Sequence, residues 1–282
     1  MTLSNCSDLL IEADAEDVLD FLPDNSIDLI YIDPPFNTGS TQRLASIKAE
    51  QDTTSVRAGF GGRTYKTTLV SSHSYEDSFS DYLGFLLPLL ERSYKLLASH
   101  GTLYVHLDYR EVHYVKVELD QIFGRSNFMN EIIWAYDFGG RSKQKWPAKH
   151  DTILAYAKDL GNHIFNYEAI ERIPYMAPGL VTKEKASKGK VPTDVWWQTI
   201  VHTTGKERTG YPTQKPEAIL RRIIEASSNP GAWVLDFFAG SGTTACVAQK
   251  LGRRFIAVDR NPEAIKIIKN RINMANVHKF GC

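Results

Sequence analysis

"VLDFFAGSGTTACVAQKLGRRFIAVDRNP", residues 234–262, reads as a strand, a turn, a helix and a second strand in unbroken succession. An apolar run ends in Asp236, the glycine turn Gly240-Ser241-Gly242 follows, a helical segment takes up the chain, and another apolar run ends in Asp259. Glycines let a turn's backbone approach a ligand closely, and an acid closing the next strand can accept hydrogen bonds from ribose hydroxyls. The stretch therefore predicts a nucleoside-binding βαβ unit within a parallel sheet. Its spacing Gly240-x-Gly242-x-x-Ala245 also fits the looser dinucleotide pattern, so an NAD-dependent oxidoreductase competes at this point.

Outward from this unit the same alternation recurs. Strand-length apolar runs lie at 9–14, 27–33, 102–108, 131–137, 152–158, 233–240 and 254–259, with helical spacing in "DYLGFLLPLLERSYKLL", "KPEAILRRIIEASS" and "PEAIKIIKNRI". Strands alternating with helices imply an α/β fold with a doubly wound, mostly parallel sheet. The consecutive runs between 131 and 158 imply an antiparallel hairpin joined by "GGRSKQKWPAKH". Two stretches fit no regular element. Residues 40–74, polar and with glycines at 59, 61 and 62, read as a long mobile loop, and residues from about 160 to 212 read as an irregular insert. The expected organisation is a first half over 1–136, hairpin and insert over 137–210, and a second half of the same domain over 211–282.

With 282 residues, 43% of them hydrophobic and 23% charged, the chain can bury one large core and is neither disordered nor fibrous. "YLGFLLPLL" is too short for a spanning helix, so no membrane association and a cytoplasmic location are expected. Cys6, Cys246 and Cys282 show no paired spacing and read as plain thiols, and the histidines show no metal spacing. The 33 Lys+Arg balance the 33 Asp+Glu, yet residues 137–215 hold 13 basic and 8 acidic side chains, 13 − 8 = +5. A phosphate-facing surface and a solvated loop explain that excess about equally well.

"LIYIDPPFNTG", residues 29–39, separates the two cofactor readings. Its strand ends at Asp33-Pro34-Pro35-Phe36, where two prolines remove backbone donors and fix two φ angles. If the strands ending in Asp33 and Asp236 are neighbours at the switch point of the sheet, tetrad and glycine loop share one crevice. Hydride transfer has no use for such a tetrad. Methyl transfer to an exocyclic amine does, because that nitrogen's lone pair is delocalised into the ring. The Asp33 carboxylate and the Pro34 carbonyl can hold the two amine hydrogens and favour a tetrahedral nitrogen, with Phe36 stacked on an extruded base.

On these motifs the chain resembles the amino-group DNA methyltransferases that use S-adenosylmethionine. Asp33-Pro34-Pro35-Phe36 is similar to their catalytic tetrad, and Phe238-Ala239-Gly240-Ser241-Gly242 with Thr243 to their cofactor loop. "YPTQKP" (211–216), with Thr213 and Lys215, resembles the motif beside the methionine end of the cofactor. The resemblance gives Asp14 to the adenine of the cofactor, Asp259 to its ribose and Asp236 to the loop. Because the tetrad precedes the loop, the motif order is that of the circularly permuted β class. It implies a Rossmann-like methyltransferase sheet that converts S-adenosylmethionine to S-adenosylhomocysteine without a metal, acting on double-stranded DNA. A cognate restriction enzyme and a homodimer are compatible partners. Adenine N6 is the favoured target, since cytosine-N4 relatives more often begin the tetrad with Ser; cytosine N4 stands as the alternative. A non-catalytic relative is a remote one. Carbon-5 methylation of cytosine needs a thiol that typically follows proline, and none of the cysteines does.

Plainer readings stand beside these. Asp14 can simply cap the helix "AEDVLDFL", and Asp236 can serve the loop amides alone. Trp196-Trp197 fits a core plug better than a DNA platform. Lys215 divides between cofactor contact and a solvated helix start. DNA contact is assigned to Arg141, Lys143, Lys145 and Lys149 in the basic hairpin loop, with Arg57, Arg63 and Lys66 as the second choice.

Overall fold

The computed structural model describes residues 3, 8–51, 65–202, 204–211, 213–272, 274, 278 and 279. Its strands are β1 (Leu9–Glu12), β2 (Ile27–Ile32), β3 (Ser40–Gln51), β4 (Tyr65–Asp77), β5 (Leu97–Leu107), β6 (Phe128–Ala135), β7 (His150–Ala157), β8 (Val195–Trp197), β9 (Trp233–Asp236), β10 (Arg254–Asp259) and β11 (His278–Lys279). The helices are α1 (Ala15–Leu19), α2 (Tyr82–Leu96), α3 (Val112–Phe123), α4 (Lys183–Lys188), α5 (Glu217–Ser227), α6 (Thr243–Lys250) and α7 (Pro262–Arg271). Nine strands form one sheet in the order β11-β1-β10-β9-β2-β5-β7-β6-β8. From β11 to β5 every pairing is parallel; β7 runs antiparallel to β5 and to β6, and β8 joins the edge parallel to β6.

The sequence pattern explains why this sheet is covered on both faces. The central strands are apolar without a polar alternation, as parallel strands buried on two sides must be. Within β2, Ile30 and Ile32 join a core with Leu86, Leu90, Val115 and Leu119 of α2 and α3. Leu29 and Tyr31, one residue out of phase, join a second core with Ile219, Ile223, Val247 and Ile268 of α5, α6 and α7. A one-residue shift of β2 would exchange those two sets, so both helical layers fix its register. Pro88 lies inside α2 without ending it. Leu86, Leu89 and Leu90, all buried beside the proline, hold the helix against the sheet across the missing backbone bond.

The pairing of β2 with β9 sets Leu29 opposite Val234 and Ile30 opposite Leu235. From this pair the winding runs through β5 on one side and β10 on the other, so the switch point lies between Asp33 and Asp236. The tetrad and the glycine loop are thereby brought to one edge.

Three expectations need correction. Residues 40–51 and 65–74 are not a loop: β3 and β4 form a separate antiparallel two-stranded sheet, with Ser40 opposite Asp77 and Gln51 opposite Tyr65. A polar hairpin that pairs only with itself needs no apolar face, so periodicity does not announce it. Arg57 and Arg63 lie outside the described residues. The insert is also less irregular than expected, holding α4 and the edge strand β8. Three residues are too few to show a period, but Trp196 is buried against the sheet while Trp197 is exposed. The hairpin β6–β7 begins at Phe128, ahead of residue 137, and belongs to the main sheet. No helix among the described residues is long and apolar enough to cross a membrane.

Candidate active site

A cleft of about 570 Å³ opens at the switch point, lined by both motifs and by Asp14, Thr213, Lys215 and Asp259. That volume suits a nucleoside-sized ligand with room for a base. The rigidity foreseen from the prolines is reinforced from three directions. Tyr82 Oη donates to the Pro35 carbonyl at 2.8 Å. Asn37, at a left-handed φ of 54°, accepts from the Phe79 amide at 2.9 Å and donates through its own amide to Asp77 at 2.8 Å. Its side-chain amide also donates to Glu111 Oε1 at 2.7 Å. The buried Asp77, which ends β4, accepts a further bond from Thr38 at 2.6 Å.

Asp33 itself is asymmetric. Its Oδ2 accepts a short hydrogen bond from Lys215 Nζ, and the two side chains are only 17% and 9% exposed. Its Oδ1 is buried with no partner among the described residues. A buried carboxylate oxygen without a donor is costly, and such groups mark sites where a ligand supplies the bond. The Lys215 ammonium also lies 5.0 Å from the centre of the Phe36 ring. Thus Lys215, expected to face the cofactor or solvent, is committed to the tetrad. Its carbonyl accepts from Thr243 Oγ1 at 3.1 Å, linking that ion pair to the start of α6.

The glycine loop is built as its residues require. Gly240 and Gly242 sit at φ 50° and 71°, and Gly242 caps α6. A Cβ on Gly242 would lie 2.7 Å from Ile268 Cγ1, so only glycine allows α7 this close. Asp236 accepts from the Phe238 amide at 3.0 Å and from Thr244 Oγ1 at 2.6 Å, which matches the plainer reading of that acid. Burial pushes its carboxyl up to about 7 against those two bonds. Asp259 accepts from the Gly240 amide at 2.8 Å through Oδ2 and from the Asn261 amide at 2.8 Å through Oδ1, and burial pushes it up to about 6. Ala239 and Ser241 are buried; Phe238 packs on Phe85 and Phe237. Asp14 precedes α1 but makes no capping bond; it lies 3.5 Å from Arg260 at the mouth of the cleft.

Arg141, Lys143, Lys145 and Lys149 line no part of the cleft and stand outside it in the β6–β7 loop. Beneath Phe36 lies a chain that motif reading passes over. Tyr31 Oη bonds His106 Nδ1 at 2.8 Å, His106 Nε2 bonds Asp151 at 3.1 Å, and Tyr136 Oη donates to Asp151 at 3.1 Å. Burial opposes ionisation of Asp151, but the bond from His106, aided by the charge of Lys215, holds it below the usual carboxylate range. With Asp151 ionised, His106 Nε2 is the donor in their bond. The Phe36 and His106 rings are 6.0 Å apart. Asn37 follows the tetrad directly in "DPPFNTG", whereas Tyr82, His106 and Asp151 leave no local signal. Among the described residues no group of three or more His, Cys, Asp or Glu side chains could hold a metal ion. Cys246 is buried.

A nucleoside-type loop facing a rigid carboxylate tetrad across one cleft defines a group-transfer enzyme on an α/β sheet. Residues 27–270 match the family model described as DNA methylase, the N6/N4 methyltransferase family. The chain belongs to that family. It is 35% identical over 266 residues to the Type II methyltransferase M.HpaI of Haemophilus parainfluenzae, covering 94% of this chain and 74% of that one. It is 32% identical over 275 residues to the DNA adenine methyltransferase YhdJ of Escherichia coli strain K12, covering 95% of this chain and 83% of that one. The fold is similar to that in the crystal structure of the M1.HpyAVI–SAM complex, with a TM-score of 0.60, 22% identity, and coverage of 94% and 100%.

The raised Asp236 has a consequence for stability. Its folded value of about 7 exceeds the ordinary 3.8, so the native state holds a proton that the unfolded chain releases. Stability should therefore fall as pH rises from about 4 to about 7, by up to about 1.4 kcal/mol per pH unit from this group. Urea midpoints of the cofactor-free protein across that window should decline less steeply for Asp236→Asn; parallel profiles would refute the assignment.

Proposed function

We propose that the chain is a site-specific DNA methyltransferase that moves the methyl group of S-adenosylmethionine to adenine N6. The observation that carries this is the unpartnered Asp33 Oδ1, held on a rigid tetrad in the same cleft as the glycine loop. The residues present fit the cofactor: Gly240 and Gly242 bring backbone close, Asp259 offers an acceptor to ribose, and Asp14 stands at the mouth for the adenine. Thr213, Lys215, Phe238, Ala239, Ser241 and Thr243 complete the wall, with Asp236 bracing the loop. When bound, S-adenosylmethionine supplies an electrophilic methyl on a sulfonium.

The chain's own part is to make an amine nucleophilic. Lys215 occupies one oxygen of Asp33 and so aims the other at an amine hydrogen. The Pro34 carbonyl is assigned the second hydrogen, and the bond of Tyr82 to Pro35 keeps that backbone from yielding. With both hydrogens held, the lone pair leaves conjugation and the nitrogen approaches tetrahedral geometry, an electrostatic preorganisation worth roughly 3 to 4 kcal/mol per donor or acceptor. Asp33 then takes the proton that the methylated nitrogen sheds. Phe36, steadied by Lys215 and His106, is the surface on which the base stacks.

Adenine is supported by the Asp-first, Phe-last tetrad and by the relative named a DNA adenine methyltransferase. Cytosine N4 poses the same chemical problem to the same groups, and the family embraces both amines. Duplex DNA is assigned to Arg141, Lys143, Lys145 and Lys149, and target choice to residues 137–210. The relative named a Type II methyltransferase supports a cognate restriction enzyme. A DNA substrate supports a cytoplasmic place of action. Digesting DNA methylated by the protein and weighing the nucleosides should give N6-methyladenine; N4-methylcytosine alone would replace the target, and neither product would refute the function.

Asp259 yields a pH test. Its value of about 6 means that the ribose acceptor is lost as pH falls through that value. Calorimetric affinity for S-adenosylmethionine should drop below pH 6 by up to about tenfold per pH unit, and Asp259→Asn should be weaker yet flat. NAD should not bind. Equal parental affinity at pH 5 and pH 8, or tight NAD binding in its place, would overturn the ribose assignment.

A further inference from the structure

The β6–β7 loop carries the most exposed large apolar side chain among the described residues: Trp146, 95% exposed. Sheet topology fixes where this loop emerges. Because β7 is antiparallel to β5 and β6 is antiparallel to β7, the loop leaves the sheet at the carboxyl ends of β5 and β2, the edge that bears Asp33. The loop is closed upon itself. The amides of Tyr136 and Asp137 both donate to the Lys149 carbonyl, at 3.1 and 3.4 Å, and Lys149 Nζ donates to the Gly140 carbonyl at 2.8 Å. Ser142 Oγ accepts from the amides of Gln144 and Lys145 at 3.1 and 3.2 Å, which turns the chain just before the tryptophan. Lys145 Nζ lies 5.9 Å from the Tyr109 ring on the loop that follows β5.

The root of the loop reaches the tetrad. Tyr136 bonds Asp151, Asp151 bonds His106, and His106 packs beside Phe36. The tip is thus a braced, cationic finger with an indole at its end, connected at its base to the surface assigned to the extruded base. An indole kept in water by a constrained loop is an apolar group waiting for an apolar partner, and the flanking lysines make a polyanion the partner of matching charge.

We propose that Trp146 enters the DNA base stack and fills the gap left when the target base turns into the cleft. Extrusion of a base sacrifices its pairing and its stacking, and an aromatic face inserted in its place restores the stacking. This rests on the DNA methyltransferase reading above and assigns a side chain that the motifs do not reach. Tyr114, also exposed but on α3 and outside the segment assigned to target choice, is the internal control.

The methylated site is first defined by sequencing DNA modified by the parent protein. Single-turnover methyl transfer is then measured on a matched duplex and on one whose target base faces an abasic position, which removes the pairing to be broken. Trp146→Ala should be slower than the parent by about tenfold or more on the matched duplex and within about threefold of it on the abasic-partner duplex. Its affinity for duplex without the site, and the salt dependence of that affinity, should match the parent. Trp146→Phe should recover most of the rate, and Tyr114→Ala should keep it. Equal rates for parent and Trp146→Ala on matched DNA would overturn the proposal, as would a deficit of the same size on both duplexes. A parent protein that methylates no DNA would overturn the underlying function itself.

Discussion

The ion pair between Asp33 and Lys215 is the constraint on which the site depends. It joins the end of β2 to the segment ahead of α5, 182 residues apart in sequence, and it is nearly closed to solvent. Removing one partner of such a pair leaves an uncompensated buried charge, at a typical cost of about 3–5 kcal/mol. Here it also has a direction. One carboxylate oxygen is satisfied, the other is left for a ligand, and the lysine carbonyl is bound to the residue that begins the cofactor-loop helix. The tetrad and the loop therefore cannot move independently.

Everything else serves to keep that pair at the switch point. The two helical layers fix the register of β2 against β9, the prolines fix the backbone that leaves β2, and Asn37, Asp77 and Tyr82 fix it again from outside. On the far side, Tyr31, His106, Asp151 and Tyr136 carry a fully bonded polar chain across β2, β5 and β7. A buried network of this kind is stabilising only when every member is satisfied, which ties the hairpin loop to the tetrad more firmly than apolar contact would.

Much of this was legible in the sequence, for identifiable reasons. All seven apolar runs became strands because central parallel strands are apolar on both faces and advertise themselves. The glycine loop and the tetrad were legible because each compresses its chemistry into a few adjacent residues. The hairpin at 40–51 and 65–77 was not, since its pairing satisfies backbone groups without an apolar pattern. β8 was too short to have a period. Lys215 divided between cofactor contact and a solvated helix start, and its bond to Asp33 was not legible because the acid it meets is set by topology rather than spacing. His106 and Asp151 carry no local signal for the same reason: the partners of His106 lie 75 and 45 positions away, and only the fold brings them together.

The central claim is that the free oxygen of Asp33 makes an amine reactive while the cofactor is held elsewhere. Its most direct measurement is the single-turnover rate of methyl transfer to DNA by Asp33→Ala at saturating cofactor, with cofactor affinity measured by calorimetry. Asp33→Ala/Lys215→Met is measured beside it, so that an orphaned ammonium is not what the rate reports. A rate at least about a hundredfold below the parent is expected in both variants, with cofactor affinity within about threefold of the parent for Asp33→Ala. A near-parental rate in either variant would contradict it.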